Sequence, residues 1–204
     1  MSVLAEVGST WPGKVAPFVE VTSRHFGASD VQVGRHDTGS RNRAPKQPMS
    51  RRSLELGAGE RLLATLDDMR NAGTYPEAGK SIEPTAVGGA ECGVIFSLKD
   101  SQGKVRPGFF SQTVAAVAVF DASGVRFGVG RDGGTRYPAR DVVRAWVTRS
   151  TVGEAMSRRL GGDPQDPHAM LGQGRRADQV RRAYEAAFAD LEPVTTVAAG
   201  NTAK

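Results

Sequence analysis

Residues 113–130, TVAAVAVFDASGVRFGVG, decide the fold class. The first part, TVAAVAVFD at 113–121, is apolar at both alternating sets of positions, which is typical of a strand covered on both faces. ASG at 122–124 is a turn signal, and the VRFGVG that follows alternates apolar and polar residues again. We therefore predict a β-hairpin in the interior of the domain, with Phe120 and Phe127 in its core.

The segments around this hairpin predict the rest of an α+β fold. ECGVIFSLK at 91–99 is a third strand candidate. A helix is expected before it, because Ala58, Leu62 and Met69 recur at helical spacing. Two helices are expected after the hairpin, one opening at Pro138 with an apolar stripe of Val142, Val143, Trp146 and Val147, and one opening with a Thr151-to-Glu154 capping box. We expect residues 53–162 to form a small antiparallel sheet packed by flanking helices.

The sequence at the two ends of the chain predicts less regular structure. Residues 1–52 are expected to form an irregular, basic N-terminal extension, and residues 163–204 a linker, an appended amphipathic C-terminal helix at about 174–191 and a flexible tail. The stretch RHDTGSRNRAPKQPMSRR at 35–52 cannot bury a face, since it is almost free of apolar residues. Its cations are candidates for contact with a polyanion: Arg35, Arg41, Arg43, Lys46, Arg51 and Arg52.

Composition limits the classes of protein. The formal net charge is +5 and the sequence pI is about 9.7, which favours an acidic or polyanionic partner. The chain holds no apolar run long enough to span a bilayer and begins without a signal-peptide pattern. A single cysteine, Cys92, demands no oxidising compartment. We expect a soluble protein made in a cytoplasm, with no membrane partner.

Two motifs match patterns that occur in enzymes, but the residues around each of them do not fit the corresponding site. Gly128, Gly130 and Gly133 spell G-x-G-x-x-G, but the Pro138 that follows argues against the helix that a dinucleotide site needs, so a glycine-rich β-turn is the simpler interpretation. Asp37-Thr38-Gly39 matches the aspartic-protease triplet, but it lies in a run of arginines instead of an apolar, rigid setting.

No other set of residues predicts catalysis or metal binding. His25, His36 and His168 lack a second ligand at helical spacing and are interpreted as surface residues. Cys92 lies in an apolar strand and is expected to be a small core residue. We therefore expect no enzyme activity, no cofactor and no metal.

The segment 106–160 resembles a known family. It contains Pro107-Gly108-Phe109-Phe110, then the hairpin, then Arg136-Tyr137-Pro138 and Asp141-Val142-Val143. In this order the elements resemble the tail-completion and neck proteins of tailed bacteriophages, the family of the minor tail protein Z of lambda-like phages. Tyr137-Pro138-Ala139-Arg140 resembles a related signature of contractile-tailed phages.

The resemblance implies a structural role in the virion. Copies would form a homo-oligomeric ring at the head-to-tail junction, in contact with head-connector and tail-tube proteins, around a lumen through which DNA passes. The interface candidates that it implies are Phe109, Phe110, Arg136, Tyr137 and Arg140. The alternative is a basic nucleic-acid-binding accessory protein that uses the arginine-rich segment and the last helix. Since no aromatic residue lies between positions 35 and 52, base stacking by that segment is unsupported.

Overall fold

The strands of one sheet come from almost the whole length of the chain. The computed structural model describes residues 1–39, 48–76, 83–99 and 103–194. In chain order its elements are β1 (Ser2–Val7), α1 (Pro12–Phe26), β2 (Asp30–Arg35), α2 (Arg51–Asn71), β3 (Thr85–Lys99), β4 (Val105–Asp121), β5 (Gly124–Tyr137), α3 (Ala139–Val147), α4 (Val152–Leu160), α5 (Pro167–Met170), α6 (Arg176–Ala189) and β6 (Glu192–Pro193). The α+β class predicted from the sequence is confirmed.

The sheet is mixed, with the order β2-β1-β3-β4-β5-β6. β1 runs parallel to both β2 and β3, whereas the remaining neighbours are antiparallel. The predicted hairpin is confirmed as β4 and β5, which pair from Asp121↔Gly124 outward. Gly124 has φ 119, a backbone conformation that glycine adopts without a steric penalty, and it closes the turn.

Helices cover both faces of β4, which explains its continuous apolar sequence. Even-numbered residues from Val114 to Phe120 pack in a cluster with α2. Odd-numbered residues from Ala115 to Val119 pack in a second cluster with α1 and α6. The prediction that this strand is buried on both sides is therefore confirmed, including Phe120 at 2% exposure.

A third cluster covers the far end of the sheet. Val94 and Tyr137, from β3 and β5, pack there against α3 and α4. The capping box predicted at the start of α4 is present, since Thr151 and Glu154 exchange hydrogen bonds through their side chains and backbone.

The three glycines of the G-x-G-x-x-G pattern lie inside strand β5. A Cβ added at Gly128 would contact the carbonyl of Ala187 in α6, and one at Gly130 would contact the backbone of both Ala187 and Ala183. The glycines therefore allow α6 to pack directly on the strand. The sequence predicted a glycine-rich β-turn at this place, whereas the glycines form part of a strand.

The prediction of an irregular N-terminal extension is wrong for residues 2–35. These residues form β1, α1 and β2, and β1 lies inside the sheet. The sequence signal was weak because β1 has only six residues and pairs in parallel with distant strands, so no hairpin turn marks it. Much of the arginine-rich segment, residues 40–47, lies outside the described residues.

The C-terminal helix is part of the core and not an appendage. α6 buries Val180, Tyr184 and Phe188 against α1 and the sheet. The expected boundaries at residues 52 and 162 therefore cut through one sheet and its cores.

Two predictions of buried side chains are wrong. Phe127 is 39% exposed, because it lies near the sheet edge where only the two-residue β6 follows. Helix α3 buries Val142 but exposes Val143, Trp146 and Val147, because α4 packs against one side of it only.

Candidate functional site

The candidate site lies where strand β3 loses its neighbour on one side. β1 pairs with β3 only from Leu4↔Thr85 to Val7↔Gly88. The Gly8 N–H still donates to the Gly88 carbonyl at 2.9 Å. Beyond this point, no described strand lies beside the outer edge of β3. Its backbone groups therefore need partners from loops and side chains.

Lys14 supplies one of these partners. Its Nζ donates to the Ala90 carbonyl at 2.6 Å, in a buried position. Lys14 is the third residue of α1, which begins at Pro12, a residue whose fixed φ suits a first helical position. The Trp11 N–H donates to Ser9 Oγ at 3.1 Å and fixes the preceding loop. The positive end of the α1 dipole and a buried ammonium group thus meet at the edge of β3.

Glu91 and Arg61 form a nearly buried ion pair beside Lys14. Arg61 Nε donates to Glu91 Oε2 at 2.7 Å, and the Cys92 N–H donates to Glu91 Oε1 at 3.3 Å. Arg61 Nη1 also donates to Thr38 Oγ1 at 3.4 Å. Burial by itself raises the pKa of Glu91, but the charges of Lys14 and Arg61 outweigh it and hold that pKa below its ordinary value. The carboxylate therefore stays ionised.

Arg176 reaches the same place from the first turn of α6. Its guanidinium lies 5.7 Å from the centre of the Trp11 ring and is close to the Cys92 thiol. Burial lowers the pKa of Arg176, but the neighbouring Cys92 and Tyr137 raise it overall. This cation is therefore permanent, although its guanidinium is held among buried groups.

Positive charge exceeds negative charge in this group of four side chains, which we call the edge cluster: Lys14, Arg61, Glu91 and Arg176. Three cations face one carboxylate. Within the described part of the chain, no salt bridge joins Lys14 or Arg176 to a carboxylate. Burial lowers the pKa of Lys14, while the charge of Glu91 opposes that shift. Lys14 is buried and Arg61 and Arg176 are partly buried, so this surplus of positive charge is costly unless an anion joins it.

A polar cleft of about 280 Å³ adjoins the edge cluster. Glu91, Cys92 and Arg176 form one side of it. Hydroxyl, amide and carboxylate side chains form most of the remaining wall: Ser111, Gln112, Tyr137, Thr151, Glu154 and Gln179. A cleft of this kind accommodates a small polar ligand better than an apolar one.

A β-bulge shapes this wall. The register of β4 against β5 shifts between Phe110 and Gln112. Ser111, at the bulge, exchanges hydrogen bonds with Gln179 of α6 at 2.8 and 3.2 Å. Gln179 Nε2 also donates to Thr135 Oγ1 at 3.1 Å. The extra residue lies in β5, and Ser111 faces α6 because it is on the same face of β4 as Ala115 and Val117.

Tyr137 and His168 pack behind the cleft. Their ring centres lie 5.6 Å apart, and His168 is 1% exposed with neither ring nitrogen hydrogen-bonded. Burial, assisted by the charge of Arg176, lowers the pKa of His168 to about 4, and burial raises the pKa of Tyr137. The expectation of a surface position is therefore wrong for His168. His36 is also partly buried, with Nε2 2.7 Å from Glu6 Oε2.

The interface candidates divide into buried and exposed residues. Phe110 and Tyr137 are buried in the domain itself, at 5% exposure each, because the third cluster and the α2 side of the sheet close over them. They cannot act as contact residues in this conformation. Phe109 and Arg136 line an outer hollow, where Arg136 Nη2 donates to the Pro107 carbonyl at 3.0 Å. Arg140 is exposed on α3.

The candidates for polyanion contact do not join the edge cluster. Arg35 is exposed at the end of β2, and Arg51 and Arg52 are exposed in the first turn of α2. Arg41, Arg43 and Lys46 lie outside the described residues. The aspartic-protease triplet contributes only Thr38, which is buried and donates to the Gly8 carbonyl at 2.7 Å.

Sequence reasoning missed all four residues of the edge cluster. The available signal was a charged residue inside an apolar or glycine-rich segment, as in GGAECGV at 88–94 and WPGKV at 11–15. Cys92 was correctly predicted to be buried. The contact between its thiol and Arg176, about eighty positions away, could not be predicted from local sequence.

The described residues contain no group of three His, Cys, Asp or Glu side chains arranged to hold a metal ion. Among them, no helix has the length and apolar character needed to cross a membrane.

Comparison with known proteins identifies a relative of the fold alone. No protein-family model matches the chain, and no curated protein matches it at a significant level. Among solved structures, the chain is similar to the crystal structure of protein VC0702 from Vibrio cholerae, with a TM-score of 0.61 and 16% sequence identity. The match covers 92% of this chain and 94% of that chain. The chain therefore shares, along nearly its whole length, the α+β fold of that protein.

Proposed function

We propose that the protein binds a small phosphorylated molecule in the cleft beside the edge cluster, and that it hydrolyses that molecule. The observation that carries the proposal is the excess of cations over carboxylates in the edge cluster, where buried Lys14 and the partly buried Arg61 and Arg176 surround Glu91. Of these four side chains, Glu91 and Arg176 line the cleft itself. These side chains come from three different helices and one strand, so the fold itself brings them together.

Phosphate is the anion that this arrangement fits best. A phosphate group presents several charged oxygens at once, and guanidinium groups bind such oxygens through paired hydrogen bonds. The first turn of α1, which carries Lys14, adds a positive dipole end that also favours an anion. Polar walls then hold the rest of the ligand, through donors and acceptors such as Gln179 and Tyr137.

Hydrolysis is the reaction class that the same groups support. Phosphoryl transfer to water develops negative charge on the phosphoryl oxygens, which fixed cations stabilise. Water would attack phosphorus, the bond to the leaving oxygen would break, and Glu91 would accept the proton of that water. Glu91 is available as a proton acceptor because Lys14 and Arg61 keep it ionised. An assay of phosphate release also tests the expectation from the sequence that the protein is not an enzyme.

The test is phosphate release from a panel of phosphorylated compounds. Pyrophosphate, tripolyphosphate, sugar phosphates and nucleoside triphosphates are incubated with the full chain, with and without Mg²⁺. We expect release from at least one class and a loss of about 100-fold or more in Glu91→Gln. The control is Glu20→Gln, which alters a solvent-exposed carboxylate that is paired with Arg24. No binding of any compound would contradict the proposal, whereas binding without release would contradict only its catalytic part.

A structural role in a phage particle is the second candidate. It rests on the resemblance of residues 106–160 to tail-completion proteins, and exposed apolar side chains favour a protein contact there. Trp146 is 79% and Val147 77% exposed, although both are large apolar residues. A homo-oligomeric ring in contact with head-connector and tail-tube proteins would cover them. Negative-stain imaging of the purified protein tests this role, since a uniform ring supports it and a monodisperse monomer contradicts it.

A further inference from the structure

Helix α3 carries an apolar stripe on its outer side. Val143 is 48%, Trp146 79% and Val147 77% exposed, and their spacing of three and four residues places them on one face of the helix. Another face, with Val142 and Ala145, packs in the third cluster. The helix is therefore apolar on two sides, and nothing among the described residues covers the outer one.

A groove of about 210 Å³ adjoins this stripe. Trp146 and Met49 line it, and both are exposed. Its other apolar lining residues are Val142, Ala145 and Val152. A concave apolar site beside an exposed ring accommodates an apolar side chain of another protein. A lipid surface, on which an amphipathic helix lies flat, needs no such groove.

Positive charge surrounds the stripe. Three arginines on α3 and just after it are exposed and form no salt bridge within the described residues: Arg140, Arg144 and Arg149. The two carboxylates between positions 139 and 160 are already engaged. Asp141 is buried and paired with Arg159. The Thr151 N–H donates to Glu154 Oε2 at 2.6 Å. A partner complementary to this surface is therefore acidic.

A second copy of the chain is a poor occupant of the same face. A two-fold contact brings one patch against the identical patch, so the arginines of one protomer would approach those of the other. Neither copy has an exposed carboxylate between positions 139 and 160 to compensate them. Like charges brought together in this way oppose association.

We propose that the outer face of α3 is the docking surface for an acidic helix of another protein, one that presents large apolar side chains beside a row of carboxylates. Arg140 and Arg144 are four residues apart, about 6 Å along the helix axis. Carboxylates four residues apart on the partner helix have the same spacing, so each can pair with one arginine. An apolar side chain of the partner enters the groove beside Trp146. This docking surface does not depend on the function proposed for the cleft.

The test is the binding of a labelled helical peptide to the full chain, followed by fluorescence anisotropy at physiological salt. The peptide carries leucines at helical spacing and glutamates four residues apart on the adjacent face, and its control carries lysines in place of the glutamates. We expect saturable binding of the acidic peptide and none of the basic peptide. Failure of the acidic peptide to bind, or equal binding of both peptides, would overturn the proposal.

A pair of apolar variants locates the bound peptide. Trp146→Ala should weaken binding by about tenfold or more, because a large aromatic side chain at the centre of an interface contributes most to affinity. Leu63→Ala truncates a leucine of α2 that is 60% exposed, and should change affinity by less than about twofold. Equal losses in the two variants would contradict docking on α3.

A pair of charge variants separates paired arginines from general attraction by the net charge. Arg140→Gln combined with Arg144→Gln should weaken binding of the acidic peptide by about tenfold or more. Arg35→Gln combined with Arg52→Gln removes the same charge from exposed positions elsewhere and should change affinity by less than about twofold. Matching losses would leave only a diffuse field as the explanation. Since all substituted residues are exposed, each variant should keep the melting temperature of the original protein within a few degrees.

Two further measurements test the other occupants. Co-sedimentation with vesicles of phosphatidylcholine and phosphatidylserine tests a membrane, and sedimentation velocity of the protein alone tests a second copy. We expect Trp146→Ala to change neither result. Vesicle binding or self-association that Trp146→Ala abolishes would assign the outer face of α3 to a membrane or to a second copy, and would overturn the proposal.

Discussion

Strand β3 has two halves that differ in what lies beside their outer edge. From Thr85 to Gly88 the edge is hydrogen-bonded to β1, and the side chains pack in apolar cores. From Gly89 onward no described strand takes the place of β1, and the edge meets charged groups, with Lys14 on the Ala90 carbonyl. We therefore propose that this strand serves as framework in its first half and as a binding surface in its second. The end of a short neighbouring strand is what separates the two roles.

The two halves should also differ in how they contribute to stability. The paired half buries apolar surface, which is worth about 1.5–3 kcal/mol for each large side chain. The open half buries charges, whose desolvation offsets most of what their mutual attraction contributes. We therefore expect substitutions near the first half to change mainly the free energy of unfolding, and substitutions near the second half to change mainly ligand binding.

The largest expected effect is at Phe18, beside the paired half. Its ring lies against Gly88, contacts Tyr184 at 4.9 Å between ring centres and is fully buried. Phe18→Ala should lower the free energy of unfolding by about 3–5 kcal/mol, measured by urea denaturation. The control Phe127→Ala removes an equal ring that is 39% exposed and should cost far less. Similar losses in the two variants would show that burying a ring next to β1 adds no more to the free energy of unfolding than a partly exposed ring does.

A smaller effect is expected from pH, through the helix that packs behind the open half. His168 has a pKa of about 4 in the folded protein, because burial and Arg176 disfavour its charged form, while Asp166 and Asp178 oppose this shift. The unfolded chain takes up the proton near its ordinary pKa of 6.5, so stability is complete above that pH and declines as pH falls toward 4. The loss should approach about 3 kcal/mol.

Urea unfolding at several pH values between 7.5 and 4 checks the His168 prediction. The variant His168→Phe keeps an aromatic ring against Tyr137 but cannot titrate. Subtracting its pH profile removes the contribution of the carboxylates and of His25, so the remaining slope belongs to His168. Superimposable profiles of the two proteins would mean that His168 is solvated or hydrogen-bonded in solution.

The smallest expected effect is at Thr38, which links the loop after β1 to Arg61. Its hydroxyl donates to the Gly8 carbonyl at 2.7 Å in a buried position. Thr38→Val should cost about 1 kcal/mol, the usual net value of such a bond. Thr148→Val is the matched surface case, since Thr148 Oγ1 donates to the Arg144 carbonyl at 2.8 Å while exposed. Thr38→Val should therefore lower the free energy of unfolding more than Thr148→Val does. A larger loss in Thr148→Val would show that the Thr38 hydroxyl does not hold the loop.

The sequence predicted those parts of the fold that local patterns encode. The β4–β5 hairpin was predictable because a turn signal separates two strands that pair with each other. The α4 capping box was predictable because its two residues lie three positions apart. β1 was not, since its partners begin at Asp30 and Thr85 and no turn joins them. α6 was recognised as a helix, but nothing in its pattern shows that Gly128 and Gly130 admit it to the core.

The candidate site was not predictable for a related reason. Its four charged residues, at positions 14, 61, 91 and 176, are far apart in the chain and match no spacing motif. Each is unremarkable alone, since lysine, arginine and glutamate are usually on the surface. Only the open edge of β3, a property of the assembled sheet, brings them together. The basic residues predicted from the sequence to contact a polyanion, such as Arg35 and Arg52, are exposed and lie outside the edge cluster.

The most direct measurement is tripolyphosphate binding by Lys14→Met, together with the free energy of unfolding of the same variant. Methionine fills the space of the buried lysine stem but carries no charge. We predict at least about a tenfold loss of affinity by calorimetry, with a fall in the free energy of unfolding of no more than about 1–3 kcal/mol, the cost of leaving the Ala90 carbonyl unpaired. A fall in stability of several kcal/mol with undiminished tripolyphosphate affinity would show that Lys14 only supports the sheet edge, and would contradict a phosphate site in the open half of β3.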